Sequence, residues 1–378
     1  MTENRADVAV VGGGILGLAH AWAAARQGHS VVLFERNPRA HGASIRNFGM
    51  IWPIGQPAGL LHDLAMRSRD LWVEVLRASK LPYWPSGSLH LVYREDEEQV
   101  AREFAELAPE HDYHCRWLTP AQVLEQSASA EPEGLRGGLW SSTEMNVDPR
   151  AVIWQLPRFL HERFGVVLRY GAVVRRIELP EVETGSETWT VDRAVVCAGD
   201  DFETLYPSAF RESGITRCKL QMMRTVPQPD GWRLGPCLAA GLTLRFYESF
   251  GMCPSVGRLK TRIAMETPEY DKWGIHVMAS QTNYGEVTIG DSHQYGLAID
   301  IFDRPEVDEL ILAYLRTFAR FPDMRIGQRW HGVYSKIPGK PFLVHKPSPG
   351  VRIVTAAGGA GMTLSFGLAE HVLAKSDS

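Results

Sequence analysis

"DVAVVGGGILGLAHAWAAARQGHSVVLFER", residues 7–36, places a glycine cluster between two short apolar runs. Asp7 to Val11 reads as a buried strand, Ile15 to Gln27 as a helix, and Ser30 to Phe34 as the next strand, with Glu35 at its carboxyl end. That order is a βαβ unit. Gly12 permits the tight turn, Gly14 lets backbone approach a pyrophosphate, and Gly17 lets the helix pack closely on the strand. Gly13, Ile15 and Leu16 complete the turn, where the helix N-terminus presents unpaired N–H groups to phosphates. Glu35, followed by Arg36, is placed to accept hydrogen bonds from an adenosine ribose. A lone G-x-G-x-x-G is weak evidence, but both strands, the helix and the acid stand in place here, so the unit reads as a dinucleotide site.

Composition narrows the class around that unit. At 378 residues the chain exceeds the size at which one core stops growing, so two domains are expected. A formal charge of −4 and the lack of a dense Lys/Arg run argue against a nucleic-acid partner. Cys115, Cys197, Cys218, Cys237 and Cys253 are odd in number and widely spaced, without C-x-x-C. They indicate neither a zinc site nor a disulfide framework, suit a reducing cytoplasm, and leave no metal expected. Val8 to Ala25 runs 18 residues without a charged side chain, but its interior glycines mark strand, turn and helix. No integral membrane association is therefore expected.

Three further stretches extend the presumed ligand site. In "HGASIRNFGMIWPIG", residues 41–55, the small-residue loop Ala43, Ser44, Arg46, Asn47, Phe48, Gly49 and Met50 replaces the helix a nicotinamide domain would enter. A larger, permanently held cofactor fits such a loop. "TVDRAVVCAGD", residues 190–200, reads as a buried strand ending in Ala198 and Gly199. "RIVTAAGGAGMTLSFGLAEHVL", residues 352–373, reads as a last strand that delivers a glycine turn and a helix.

In this order and spacing, together with "NVDPR" at 146–150, these motifs resemble the FAD-dependent amine oxidase superfamily of D-amino acid oxidase, glycine oxidase and sarcosine oxidase. The resemblance covers nearly the whole chain. It implies an α/β fold: a discontinuous Rossmann-like FAD-binding domain (residues 1–80, 146–215 and 326–378) and an inserted α+β substrate domain on a mainly antiparallel sheet (81–145 and 216–325). Strands are expected within "GSLHLVY", "KLQMMRTV", "GIHVMASQ" and "GEVTIGDS", and helices over 96–108 and 305–319. The resemblance also adds Val174 to the FAD contacts and places Gly358, Gly359, Ala360, Gly361, Met362 and Thr363 at the flavin pyrimidine, where N–H groups and a helix dipole stabilise negative charge. No cysteine follows Cys253, so the FAD is expected to be noncovalent.

Amine chemistry sets its own demands. Oxidation needs the nitrogen lone pair, yet an alkylammonium with a pKa of about 10 leaves roughly one molecule in a thousand neutral at pH 7. A nearby cation favours the free amine and also binds an anionic substrate group. Where glycine oxidase and D-amino acid oxidase hold the substrate carboxylate with arginine, the corresponding segment "WHGVYSKIPGKPF" puts Tyr334. The remaining candidates for substrate binding are Arg46, His293 in "GDSHQYG", Tyr334, Ser335 and Lys336. This combination resembles the branch of the superfamily associated with organophosphonate catabolism, implying 2-aminoethylphosphonate or its N-methyl relative as substrate. A phosphonate dianion wants several donors and positive charge. A glycine- or sarcosine-like substrate and a non-catalytic flavin-binding sensor or scaffold are the alternatives. A pyridine-nucleotide disulfide reductase lacks its cysteine pair and second nucleotide fingerprint here. Oxygen or another acceptor would reoxidise the flavin, and the oligomeric state stays open.

Overall fold

The computed structural model describes residues 4–374. Its first sheet is doubly wound. Strands Val167–Tyr170, Val31–Glu35, Arg5–Val11, Thr188–Val196 and Val351–Thr355 lie side by side, all parallel. Along the edge of Thr188–Val196 opposite Arg5–Val11, the antiparallel strands Glu181–Thr184 and then Val174–Glu178 follow its early half, and Val351–Thr355 with antiparallel Leu343–Ser348 follows its late half. Strands covered on both faces read as continuous apolar runs, and Val31–Glu35 is buried at every position.

Helix Ile15–Arg26 has almost no polar face, because it lies between this sheet and other helices. Trp22 meets Phe366 edge-on at 5.3 Å, and Trp72 meets the same ring at 4.8 Å. Trp72 Nε1 also donates to the Met362 carbonyl at 2.8 Å. These contacts lock helix Gly361–Ala374, whose start carries the terminal glycine turn, against Ile15–Arg26 and Leu60–Ser79. Backbones approach closely there: a Cβ on Gly367 would stand 2.3 Å from the Leu64 carbonyl oxygen.

The second sheet is mainly antiparallel. Its order is Gln294–Gly296, Thr216–Thr225, Val287–Gly290, Met278–Gln281, Cys237–Ala240, Ser88–Val92, Gly137–Ser141 and Cys115–Leu118, and only Cys237–Ala240 with Ser88–Val92 is parallel. Helices Glu95–Leu107, Val256–Glu266 and Pro305–Leu315 pack on it around a separate core. The predicted helix over 305–319 thus ends earlier, at Leu315, and continues as a turn. A small sheet of Met50–Ile51, Tyr83–Trp84 and Met145–Val147 stands where the chain passes between the two.

One segment departs from the sequence-based division. Ile326–Lys336, placed with the cofactor segments by its position in the chain, pairs with Thr216–Thr225 along the whole strand. The sheets therefore change hands after Lys336 rather than at 326. Among the described residues, no helix is long and apolar enough to cross a membrane.

Candidate active site

The glycine turn is built as its sequence implies. Gly12 has φ +109°, and a Cβ there would stand 2.2 Å from the Cys197 carbonyl oxygen. At Gly17 a Cβ would lie 1.8 Å from the Gly12 carbonyl oxygen, so only glycine lets helix and turn meet. Glu35 is buried and braces the turn: Oε2 accepts from Gly13 N–H at 2.8 Å, and Oε1 accepts from Asn37 N–H at 3.0 Å. Helix Ile15–Arg26 begins at Gly14 with no side-chain cap from its own N-cap residue and no acidic residue in its first turn. The Ser44 hydroxyl, reaching over from the 41–55 loop, accepts from Ile15 N–H at 3.0 Å.

Two cavities open on this turn. The first, of about 600 Å³, runs past Gly12, Gly14, Leu16, Glu35, Arg36, Val174, Ala198 and Gly199. The second, of about 400 Å³, lies between the two sheets, against Asn47, Phe48, Met50, Gly359, Ala360, Met362 and Thr363. Both are lined by Ile15, Ala43, Ser44, Arg46, Tyr334, Gly358 and Gly361. They form one path from Glu35 to the second sheet. Gly13, Gly17 and Gly49 line neither cavity; Gly49, at φ +75°, instead leaves room for the Val147 carbonyl, which a Cβ would approach to 1.9 Å. Asn47 lines the second cavity but turns its amide back on the Ala43 and Ser44 carbonyls, at 2.9 and 3.0 Å.

An elongated dinucleotide with a flat ring fits this path. The positive end of a helix dipole stands at Gly14, where Ser44 takes only the Ile15 N–H, and a second helix, Gly361–Ala374, starts where the cavities join. A Cβ on Gly199 or Gly361 would meet no atom within 4 Å, so these positions border open space. Arg36 pairs with Asp201 across the rim of the first cavity.

Sequence comparison decides the class. A model of the family described as "FAD dependent oxidoreductase" matches residues 7–375. The chain belongs to that family. Among curated relatives of this FAD-dependent oxidoreductase, the tRNA 5-methylaminomethyl-2-thiouridine biosynthesis bifunctional protein MnmC of Magnetococcus marinus is 26% identical over 55% of the chain. The match spans only 32% of MnmC, about a third of its length. One of the polypeptides of opine oxidase from Rhizobium meliloti is 26% identical, over 62% of this chain and 67% of its own. Glycine oxidase from Geobacillus kaustophilus superposes with a TM-score of 0.77, covering 98% of this chain and 94% of that one at 18% identity, which shows the shared fold.

The second cavity gathers the substrate candidates of this FAD-dependent oxidoreductase: Arg46, His293, Tyr334 and Lys336 all line it. Arg46 is half-buried and donates from a guanidinium nitrogen to the His331 carbonyl at 3.3 Å. Lys336 Nζ stands 5.3 Å over the Tyr295 ring. Tyr334 faces the terminal glycines, and burial, with Cys218 and Tyr295 alongside, pushes its phenol well above the ordinary range. His293 is buried, which lowers its pKa to about 4 against the opposing effect of a 2.8 Å contact between Nδ1 and the Gly274 carbonyl. Ser335 does not reach this cavity; its hydroxyl receives Ala356 N–H at 3.1 Å and sits 2.9 Å from Thr355 Oγ1.

Sequence reading missed Trp52, Phe246, Tyr247, His276, Asp291 and Lys340, which also line the cavity. His276 stands just before the strand in "GIHVMASQ", and its role depends on a neighbour, Asp291, that only strand pairing brings close. His276 Nε2 lies 3.2 Å from Asp291 Oδ1. Burial holds the imidazole well below its usual pKa and the carboxyl well above its own.

Proposed function

We propose that this enzyme oxidises a small amine bearing a phosphonate, 2-aminoethylphosphonate or its N-methyl derivative, to an imine that hydrolyses. The cavity lining carries the proposal. Arg46, Lys336 and Lys340 supply three cations, and Tyr334 lines the same cavity, at the position where the family resemblance implies a carboxylate-binding arginine. A dianion is better matched by several dispersed cations and donors than by one bidentate clamp.

FAD, when bound, supplies the acceptor for the hydride lost from carbon. The residues that would hold it are Gly12 to Gly17 and Glu35 at the dinucleotide end, and Ala43 to Met50 with Gly358 to Thr363 at the ring. This chain's part is to bind, orient and keep the amine neutral. Arg46 and Lys336 in a half-buried site lower the pKa of a nearby ammonium by like-charge repulsion, which raises the fraction with a free lone pair. Phe48, Trp52, Phe246 and Tyr247 give the cavity apolar walls that limit water. MnmC, whose name carries a methylaminomethyl group, and glycine oxidase, whose name gives an amino acid, support the amine class.

An anaerobic panel of amines with and without a phosphonate tests the reading by loss of the oxidised flavin absorbance. Amine phosphonates are expected to reduce the flavin faster than glycine, sarcosine or D-alanine. Faster reduction by the simple amino acids would remove the phosphonate and keep amine oxidation. No reduction by any amine would leave a sensor or scaffold.

A further inference from the structure

One wall of the second cavity carries a cluster that the proposed reaction does not use. His276, Asp291 and His293 are all buried and offer ligand atoms within 4.8 Å of one another. Strand pairing assembles them: Met278 lies opposite Gly290, and Asp291 N–H donates to the His276 carbonyl at 3.0 Å. No cysteine takes part, so cysteine spacing gave no hint of it.

The orientation of the donors separates this cluster from a satisfied polar core. A carbonyl can only accept, so the Gly274 contact puts the His293 proton on Nδ1 and leaves Nε2 with a free lone pair. That backbone brace is the arrangement commonly found behind a metal-bound imidazole. His276 Nε2 and Asp291 Oδ1 are 3.2 Å apart, yet the oxygen receives no aligned hydrogen bond. The two imidazole rings lie within 15° of parallel with centroids 5.4 Å apart. Phe246 stacks on His276 at 3.8 Å and lies tilted against His293 at 4.7 Å. Two imidazoles sharing one tetrahedral ion through bonds of about 2.0–2.1 Å hold their centroids about 5 Å apart.

We propose that His276, Asp291 and His293 bind one divalent first-row transition-metal ion, whose remaining coordination positions face the substrate cavity and take an oxyanion. Two imidazoles and one carboxylate suit zinc, iron or nickel better than magnesium or calcium. Three protein ligands, rather than four, leave room for an exogenous ligand. The ion compensates the buried Asp291 Oδ1, which otherwise lacks an aligned donor, a costly arrangement in a protein interior. Lys336 beside His293 and Arg245 near His276 oppose the ion electrostatically, but Arg245 is already paired with Asp271. The site shares its cavity with the proposed amine oxidation and stands whichever amine is oxidised.

The test uses FAD-loaded protein stripped with a chelator and dialysed against Zn²⁺, with metal measured by plasma mass spectrometry. About one zinc per chain is expected, with affinity about tenfold or more weaker in His276→Asn, Asp291→Asn and His293→Asn. Retained flavin absorbance confirms that each variant is folded. Absence of zinc uptake, or uptake unchanged in all three folded variants, overturns the site. Adding methylphosphonate to Co²⁺-loaded protein is expected to change the cobalt electron paramagnetic resonance spectrum; an unchanged spectrum overturns the open positions. Neither measurement involves an amine, so failure here is distinguishable from failure of the amine phosphonate reading.

Discussion

Glu35 shows how much one side chain carries. Its carboxylate both lines the first cavity and fixes the glycine turn through Gly13 N–H. Glu35→Ala removes an acceptor from that buried N–H as well as the proposed ribose contact. FAD affinity is expected to fall by about 1.5–3 kcal/mol, the scale of a hydrogen bond to a charged group. Titration of the deflavinated variant with FAD checks this, and unchanged affinity in a folded variant would remove the assigned role. Residues of this kind were legible in the sequence because their partners lie within one βαβ unit. His276 and Asp291 were not, since each reads locally as an ordinary strand-end residue and becomes chemical only when two strands pair. Tyr334 was visible as a departure from a family pattern, although its burial against Cys218 and Tyr295 was not.

Helix Ile15–Arg26 borrows its N-terminal cap from another element. Gly14 offers no side chain, and Ser44 from the 41–55 loop takes the Ile15 N–H at 3.0 Å. Ser44→Ala therefore uncaps a helix that lies 29 residues earlier in the chain. A loss of about 1 kcal/mol in unfolding free energy is expected, together with weaker FAD retention because the same loop lines both cavities. Urea unfolding of the FAD-free and FAD-bound forms checks both parts; equal destabilisation of the two would show that the loop does not contact the cofactor. Elements with clear periodicity were located from sequence, although the helix expected over 305–319 stops at Leu315, but partnership over long separations was not. The strand Ile326–Lys336 follows a cofactor-like position in the chain and yet completes the second sheet. What decides its place is the pairing with Thr216–Thr225 and the bare backbone at Gly332, where a Cβ would come within 3.1 Å of the Arg46 carbonyl oxygen. Gly332→Val is expected to push the 41–55 loop off this strand and raise KM, which steady-state kinetics would register; unchanged KM would mean the loop accommodates the added bulk.

Across the whole molecule, buried neutral histidines tie stability to pH. His20, in the first core, is held at about 4 chiefly by burial; His90, in the second, falls to about 3 for the same reason. In the metal-free protein His293 at about 4 and His276, well below its usual value, add two more. In the unfolded chain each imidazole titrates near 6.5. Between that value and the folded pKa the unfolded state binds more protons, so stability rises with pH and is lost as pH falls from about 6.5 toward 4. Asp291 acts in the opposite sense: its raised pKa gives stability that is present at low pH and lost as pH rises through the folded value. His90 is suited to test the histidine effect, because neither ring nitrogen has a hydrogen-bond partner and it lines neither cavity, although its charge also bears on His276. Its neighbours are the Trp52 and Phe250 rings, at 5.5 and 5.3 Å. His90→Leu is expected to raise stability at pH 7 by about 1 kcal/mol or more, since it removes unsatisfied buried polar atoms without orphaning a partner. It should also flatten the dependence of unfolding free energy on pH between 6.5 and 4 relative to the parent, as measured by urea titrations at stepped pH. A slope equal to that of the parent would show that His90 is protonated in the folded protein, and that burial alone does not keep it neutral.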